Sequence, residues 1–250
     1  MMIRLKRFIF SLMALLSVAV LAACTPTVQE TETGSSSEIQ FDLNPVPRES
    51  RWIIAVPNFE VRSGSVKLGG KELDDQEQAF YTELGSGVAD VFVTEAFRSE
   101  QFRITERAEL DKVILEQDLA SSGRVNEQTA AEVGKITGAE LIVLGSLSQF
   151  SLDSTGGGGG ILGIFGGSSE TVSVKVTVDI RFVNSVTAEV EAIGIATSEV
   201  SQSNVQIDFF NIIQGLQAGR SGTSIVDIAI RNAIRGAINE AARSLPSKSN

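Results

Sequence analysis

The sequence predicts an α+β protein, a three-layer-like α/β domain that carries two amphipathic β-hairpins. Three observations predict it. Short apolar runs and helical periods alternate between residues 51 and 145, the pattern of a layered α/β unit. From Val172 the apolar residues then fall on every second position, Val172, Val174, Val176, Val178, Ile180 and Phe182, with Ser173, Lys175, Thr177, Asp179 and Arg181 between them. The chain closes on a helical period, in which Ile225, Ile228, Ile234, Ile238 and Leu245 share one side before Pro246.

Composition bounds the chemistry. The chain has 250 residues, 42% of them hydrophobic and 21% charged, enough to bury a core in one domain. It contains no histidine, which excludes Ser-His-Asp and Cys-His catalysis and the usual zinc sites. Cys24 is the single cysteine, so neither an internal disulfide nor a cysteine-rich cluster can form. The 31 acidic residues show no spacing that singles out a catalytic pair. The expectation is a protein without enzymatic activity, cofactor or bound metal. The formal charge of −10 repels phosphate backbones and argues against nucleic acid as a partner.

Residues 1–23 read as a secretory signal. Arg4, Lys6 and Arg7 form a basic start, an apolar run follows from 8 to 20, and Leu21-Ala22-Ala23 precedes Cys24. The run is short for a bilayer span. Leu-Ala-Ala-Cys resembles the lipobox of bacterial lipoproteins. That resemblance implies cleavage before Cys24, acylation of the new N-terminus, and, with Thr25 next, an outer-membrane address. Cleavage takes the formal charge from −10 to −13 by removing the three basic residues. Several acyl chains, at about 0.8 kcal/mol per buried methylene, make such an anchor effectively permanent. Residues 25–50, rich in Ser, Thr, Glu and Pro, read as a flexible tether.

The domain proper spans 51–245, with a short tail at 246–250. Trp52-Ile53-Ile54-Ala55-Val56, stopped by Pro57, is a buried strand, and the polar, glycine-punctuated stretch 61–78 is a long loop. A helix is expected over 83–97, with Leu84, Val88, Val91, Phe92 and Ala96 on one stripe. Phe102-Arg103-Ile104-Thr105 is a second strand. Thr105 is placed to cap a helix at 106–117 whose Leu110, Val113 and Ile114 face inward, and Asn126 to cap a third helix ending at Gly138. The apolar run from Glu140 to Gly145 starts the next strand.

That strand continues to about Leu152 and returns along 172–183, giving hairpin one over about 140–183. The returning strand is longer than the usual five or six residues and long enough for the nine to eleven or so that cross a bilayer. A greasy face backed by a charged face suits the wall of a water-filled barrel. The same alternation marks a half-buried strand packed on a core. On the barrel reading Lys175, Asp179 and Arg181 face an aqueous lumen, and Val174, Val176, Val178 and Ile180 face lipid. The glycine run at 156–167 formally satisfies a nucleotide-binding pattern, but a strand follows it where a helix is required, so it reads as a hairpin tip. Hairpin two is expected over about 188–210, and Phe150, Phe165, Phe182, Phe209 and Phe210 lie near hairpin ends, where interfacial aromatics belong.

With these pieces assembled, the chain resembles the CsgG family, the curli production assembly/transport lipoproteins. The correspondence runs through IAVPNFE (54–60), ITERAELDKVILEQ (104–117), TGAELIVLGSLSQF (137–150), VTVDIRFVNSVTAEV (176–190) and VQIDFFNIIQGLQAG (205–219). The resemblance implies an oligomeric transmembrane β-barrel in the outer membrane above a periplasmic α/β vestibule. The barrel would be pooled by a homo-oligomeric ring, of about nine subunits in the family's pattern. Four strands per chain fit that expectation, because about eight is the floor for a closed barrel. The implied cargo is unfolded protein. A constriction aromatic is implied at Phe80, with Tyr81 beside it; the family's polar and second aromatic positions fall on Ala79 and Asp75, a departure in gate chemistry. Two other readings keep the same anchor. One is a periplasmic lipoprotein that binds and regulates a cell-envelope machine, the other a ring that anchors a surface adhesin.

Overall fold

The computed structural model describes residues 38–62, 64–68, 71, 72, 78–126, 128–155, 171–203 and 225–248, all within the compact unit Thr33–Asn250. The strands are β1 (Trp52–Ala55), β2 (Glu60–Val61), β3 (Val66–Leu68), β4 (Lys71–Glu72), β5 (Phe102–Thr105), β6 (Leu141–Thr155), β7 (Thr171–Asn184) and β8 (Val190–Ser203). The α-helices are α1 (Gln78–Arg98), α2 (Leu110–Ser121) and α3 (Ile225–Ser244). This is the α+β class the sequence predicts, with all eight strands in one mixed sheet.

β6 organises that sheet because it is long enough to serve several partners on one edge. β1, β2 and β3 pair with it in turn, all parallel, at Leu141, Ser146 and Phe150 and the residues after them. β5 extends the sheet beyond β1 in parallel. Along its other edge β6 pairs with β7, antiparallel from Leu141↔Asn184 to Thr155↔Thr171. β8 then pairs with β7 over nearly its whole length. The β7–β8 turn is tight: the Asn184 side chain accepts from the Val186 and Thr187 amides, and Ala188 takes the left-handed conformation at φ 61°.

α1 and α3 seal one face of the sheet. α1 lies on β2, β5 and β6, and α3 on β7 and β8 with its flank against α1. The core joins Ile54, Phe92, Phe102, Leu141, Val143 and Leu147 to Val174, Val176, Val178, Ile180 and Phe182. Burying each large aliphatic or Phe side chain contributes about 1.5–3 kcal/mol. Two glycines permit the closest approaches. A Cβ at Gly145 would lie 2.2 Å from the Phe59 ring, and one at Gly194 would lie 2.1 Å from the Ala237 carbonyl oxygen of α3.

Several expectations are corrected. The stretch 126–138 holds no helix among its described residues. α2 starts at Leu110 rather than 106, and Thr105 Oγ1 donates to the Ile54 carbonyl instead of capping it. Val113 and Ile114 are exposed, and α2 buries no residue. A helical stripe was present in the sequence, but the period does not say which partner it meets. Among the described residues the helices therefore form one layer: α1 and α3 cover one face of the sheet, and no described helix covers the opposite face of β6, β7 and β8. The stretch 61–78 is not a free loop, since β2, β3 and β4 dock parts of it on the sheet. The tether is ordered from Glu38 onward, as described below. Strand β8 supplies the outgoing half of hairpin two, but its returning half, 204–210, lies outside the described residues.

Candidate functional site

Three long strands end side by side. Thr155 pairs with Thr171, and Thr171 pairs with Ser203, with the two side-chain oxygens 3.0 Å apart. The chain therefore enters 156–170 and 204–224 from the same end of the sheet. Both segments, with the glycine run, Phe165, Phe209 and Phe210, lie outside the described residues, as do Cys24 and Asp75.

From that end the open face of β7 and β8 carries a cross-strand polar ladder. Ser173 meets Ser201 at 3.1 Å, the Lys175 ammonium lies 3.6 Å from the Glu199 carboxylate, and Thr177 meets Thr197 at 2.9 Å. Each pair is directly in register. Opposite-charge and hydroxyl pairs across a strand contribute about 0.2–1 kcal/mol each, so the ladder holds the two strands in one register while its outer side stays wet. The partners on β8 were not singled out in the sequence, because β8 alternates poorly; only the pairing identifies Thr197 and Glu199.

Further along, the same face changes character. On the next rungs Asp179 pairs with Ile195, and Arg181 stands between Leu144 and Ile193. Leu144, Ile193 and Ile195 are exposed. Thus Lys175, Asp179 and Arg181 share one solvent-facing side, as expected, but the surroundings of Arg181 are aliphatic.

The opposite side of β7 overturns an expectation. Val174, Val176, Val178 and Ile180 are each 0% exposed and belong to the protein core, so they do not face lipid. The physical reason is α3, an amphipathic helix that follows in the sequence and covers β7 and β8. Phe150 and Phe182 are likewise core residues, Phe182 stacking on Phe102 with ring centroids 5.1 Å apart. The aromatic pair implied at the constriction lies at the start of a helix. Phe80 and Tyr81 sit in the first turns of α1, with Tyr81 3% exposed in the core and Phe80 packed against it. Their rings meet edge to face at 5.9 Å.

A buried charge cluster joins α1, α3 and the start of the described chain. Glu95, fully buried on α1, accepts from Arg231 at 2.6 Å and Arg235 at 2.7 Å on α3, and from Arg98 at 3.2 Å. Arg231 also pairs with Asp227 one turn earlier at 2.8 Å. Burial by itself pushes the Glu95 carboxyl up, but the hydrogen bonds from Arg235 and Arg231 outweigh it and hold the group below its ordinary value. Burial likewise opposes the charge on Arg231 and Arg235, and their carboxylate partners prevail.

The strap formed by residues 38–43 closes this cluster. Glu38 pairs with Arg235, whose guanidinium also donates to the Ile39 carbonyl and stacks over Phe41. The Ile39 amide donates to Asn232 Oδ1 at 2.8 Å, Asn239 donates to the Gln40 carbonyl at 3.1 Å, and Asp42 pairs with Arg243. Sequence reasoning missed the cluster, although Asp227, Arg231 and Arg235 at four-residue spacing on a helix were a readable signal.

No curated protein matches the chain. Among solved structures, it is similar to lipoprotein GNA1162 from Neisseria meningitidis at 12% identity and TM-score 0.30, covering 67% of this chain and 94% of that one. For protein XCC0632 from Xanthomonas campestris the values are 11%, 0.37, 80% and 93%. For the PelC dodecamer from Paraburkholderia phytofirmans they are 10%, 0.28, 77% and 92%. Likenesses this distant transfer neither assembly nor activity. The family assignment rests on the sequence: the model of the curli production assembly/transport component CsgG matches residues 36–249, and the chain belongs to that family.

Proposed function

We propose that the protein is an outer-membrane lipoprotein, acylated at Cys24, that assembles into a homo-oligomeric secretion channel for unfolded, curli-like protein subunits. Family membership over residues 36–249 carries this reading. The strand geometry supports it. β6, β7 and β8 are 14 or 15 residues long and finish together at Thr155, Thr171 and Ser203, so two hairpins can leave one end of the sheet toward the membrane. A single chain cannot close a barrel with four strands, and open sheet edges do not occur in lipid, so neighbouring chains must pool theirs. The polar ladder, with Lys175 and then Asp179, faces the aqueous interior. Passage is diffusive on this reading, because the sequence carries no nucleotide-hydrolysis motif.

Planar-bilayer conductance of the detergent-extracted oligomer tests the reading. Discrete, long-lived conductance steps are expected. A monomeric, non-conducting protein would defeat it. Replacing Cys24 by Ala separates a channel from a peripheral binding lipoprotein: the channel former stays with the membrane fraction, whereas a binding protein becomes soluble in the periplasm.

A further inference from the structure

Two exposed apolar surfaces of this chain are complementary, and no described element covers either. The first is on α2, which buries none of its residues. Leu115 is 69% exposed, and Asp111, Leu115, Asp118 and Leu119 fall on one stripe at helical spacing. The stretch 106–121 that contains this helix has five acidic residues against two basic ones. The second surface is the aliphatic half of the open sheet face, where Leu144, Ile193 (50% exposed) and Ile195 surround the exposed Arg181.

An antiparallel sheet can keep one face in water, and the half carrying Lys175, Thr177 and Glu199 is polar as that requires. The half around Arg181 is not polar. It has the composition of a face that takes a helix, and none of the described helices covers it.

We propose that in the assembly α2 of one chain lies across the Leu144–Arg181–Ile193 rung of the next chain and supplies its missing layer. Leu115 and Leu119 cover Ile193 and Leu144, and Asp118 or Asp111 meets Arg181. Asp179, one rung along, repels the same acids and limits the helix to one register. Because the two surfaces differ, the contact is heterologous. Each chain offers its helix to one neighbour and its sheet to the other, which generates a closed ring or an open filament rather than a two-fold dimer. The inference rests on the oligomeric reading above and adds the surface by which copies meet.

The test uses the full-length protein with Leu115→Cys and Ile193→Cys combined, oxidised after mild detergent extraction. A ladder of reducible multimers in the double variant, absent from either single variant, is expected. A reducible monomer of altered mobility would mean that α2 covers its own chain's sheet and would overturn the proposal. Dimers from Leu115→Cys alone would mean a helix-to-helix contact and overturn it equally. If the wild-type protein is a ring and the double variant forms no cross-link, this surface is wrong and the channel reading stands; if the wild-type protein is monomeric, both fall. Charge reversal gives an independent readout. Asp118→Arg and Arg181→Glu each reduce the oligomeric fraction, and combining them in one chain restores it; failure to restore would remove Asp118 as the partner of Arg181.

Discussion

Replacing Glu95 by Ala should cost about 3–5 kcal/mol of domain stability at pH 7, because it strips two buried arginines of their shared carboxylate. The magnitude follows from the partners. Arg98 is 55% exposed on its side chain, so its bond contributes little. Arg231 and Arg235 are 12% and 7% exposed, and each loses a charge-assisted hydrogen bond worth about 1.5–3 kcal/mol. The loss does not go higher, since Arg231 keeps Asp227 and Arg235 keeps Glu38 and the Ile39 carbonyl. For a domain of this size the change lowers the melting temperature by about 10 °C. Thermal and urea unfolding of the detergent-extracted protein measure it. The acid limb adds a second check. The Glu95 carboxyl is held below its ordinary value of 4.5 in the folded chain, so its contribution is fully present above that pH and lost as pH falls through the folded value. The Ala variant should therefore lose less stability than wild type on acidification below about pH 4.5. A shift under about 1 kcal/mol at neutral pH, the range of an exposed pair, would refute the reasoning.

Three further outcomes follow from the packing. Val178→Arg should prevent the domain from folding, because Val178 is fully buried, whereas Thr177→Arg on the open face should be tolerated; circular dichroism of the two decides it, and equal tolerance would put Val178 outside the core. Gly194→Val should lift α3 from β8, since even a Cβ there would sit 2.1 Å from a helix carbonyl, and a loss of about 1–3 kcal/mol or more in urea unfolding is expected. Asn232→Ala should raise hydrogen exchange at the Ile39 amide by removing its 2.8 Å acceptor, and an unchanged rate would mean that the strap is held elsewhere.

Much of the fold was legible because period and punctuation are local. Trp52–Ala55, Phe102–Thr105, the two arms of β6 and β7, and α3 all stand within a few residues of where the apolar pattern puts them. What the pattern lacks is the identity of the covering partner. Val174 to Ile180 alternate identically whether lipid or helix lies opposite, and the deciding element, α3, is more than forty residues downstream. α2 failed in the opposite sense: its stripe implied a core contact, and the helix buries none of its residues against the described chain. The resemblance implied a constriction at Phe80 and Tyr81 because the apolar stripe starts the helix only at 83, yet α1 begins at Gln78 and carries the Tyr81 ring inward. The Glu95 cluster was invisible for a different reason. An acid on an apolar stripe reads as an error until two arginines from a helix 136 and 140 residues away are brought to it.

α3 is the place where these separate elements meet, which explains why its polar residues are as buried as its apolar ones. One side needs small residues, because Gly194 and Ala196 of β8 admit the helix backbone at Ala237 and Gly236. A second side needs cations, because Glu95 of α1 would otherwise be a buried unpaired charge. A third needs side-chain amides, because Asn232 and Asn239 satisfy the backbone of a strap that has no strand to join. The strap lies only fourteen residues beyond Cys24. A lipid anchor at that cysteine would thus be tied through 38–43 to the helix that seals β7 and β8. These contacts join the first and last parts of the described chain, so during synthesis they cannot form until α3 has been made. An intermediate lacking α3 would expose the whole apolar side of β7, Val172 to Phe182, before the chain is complete.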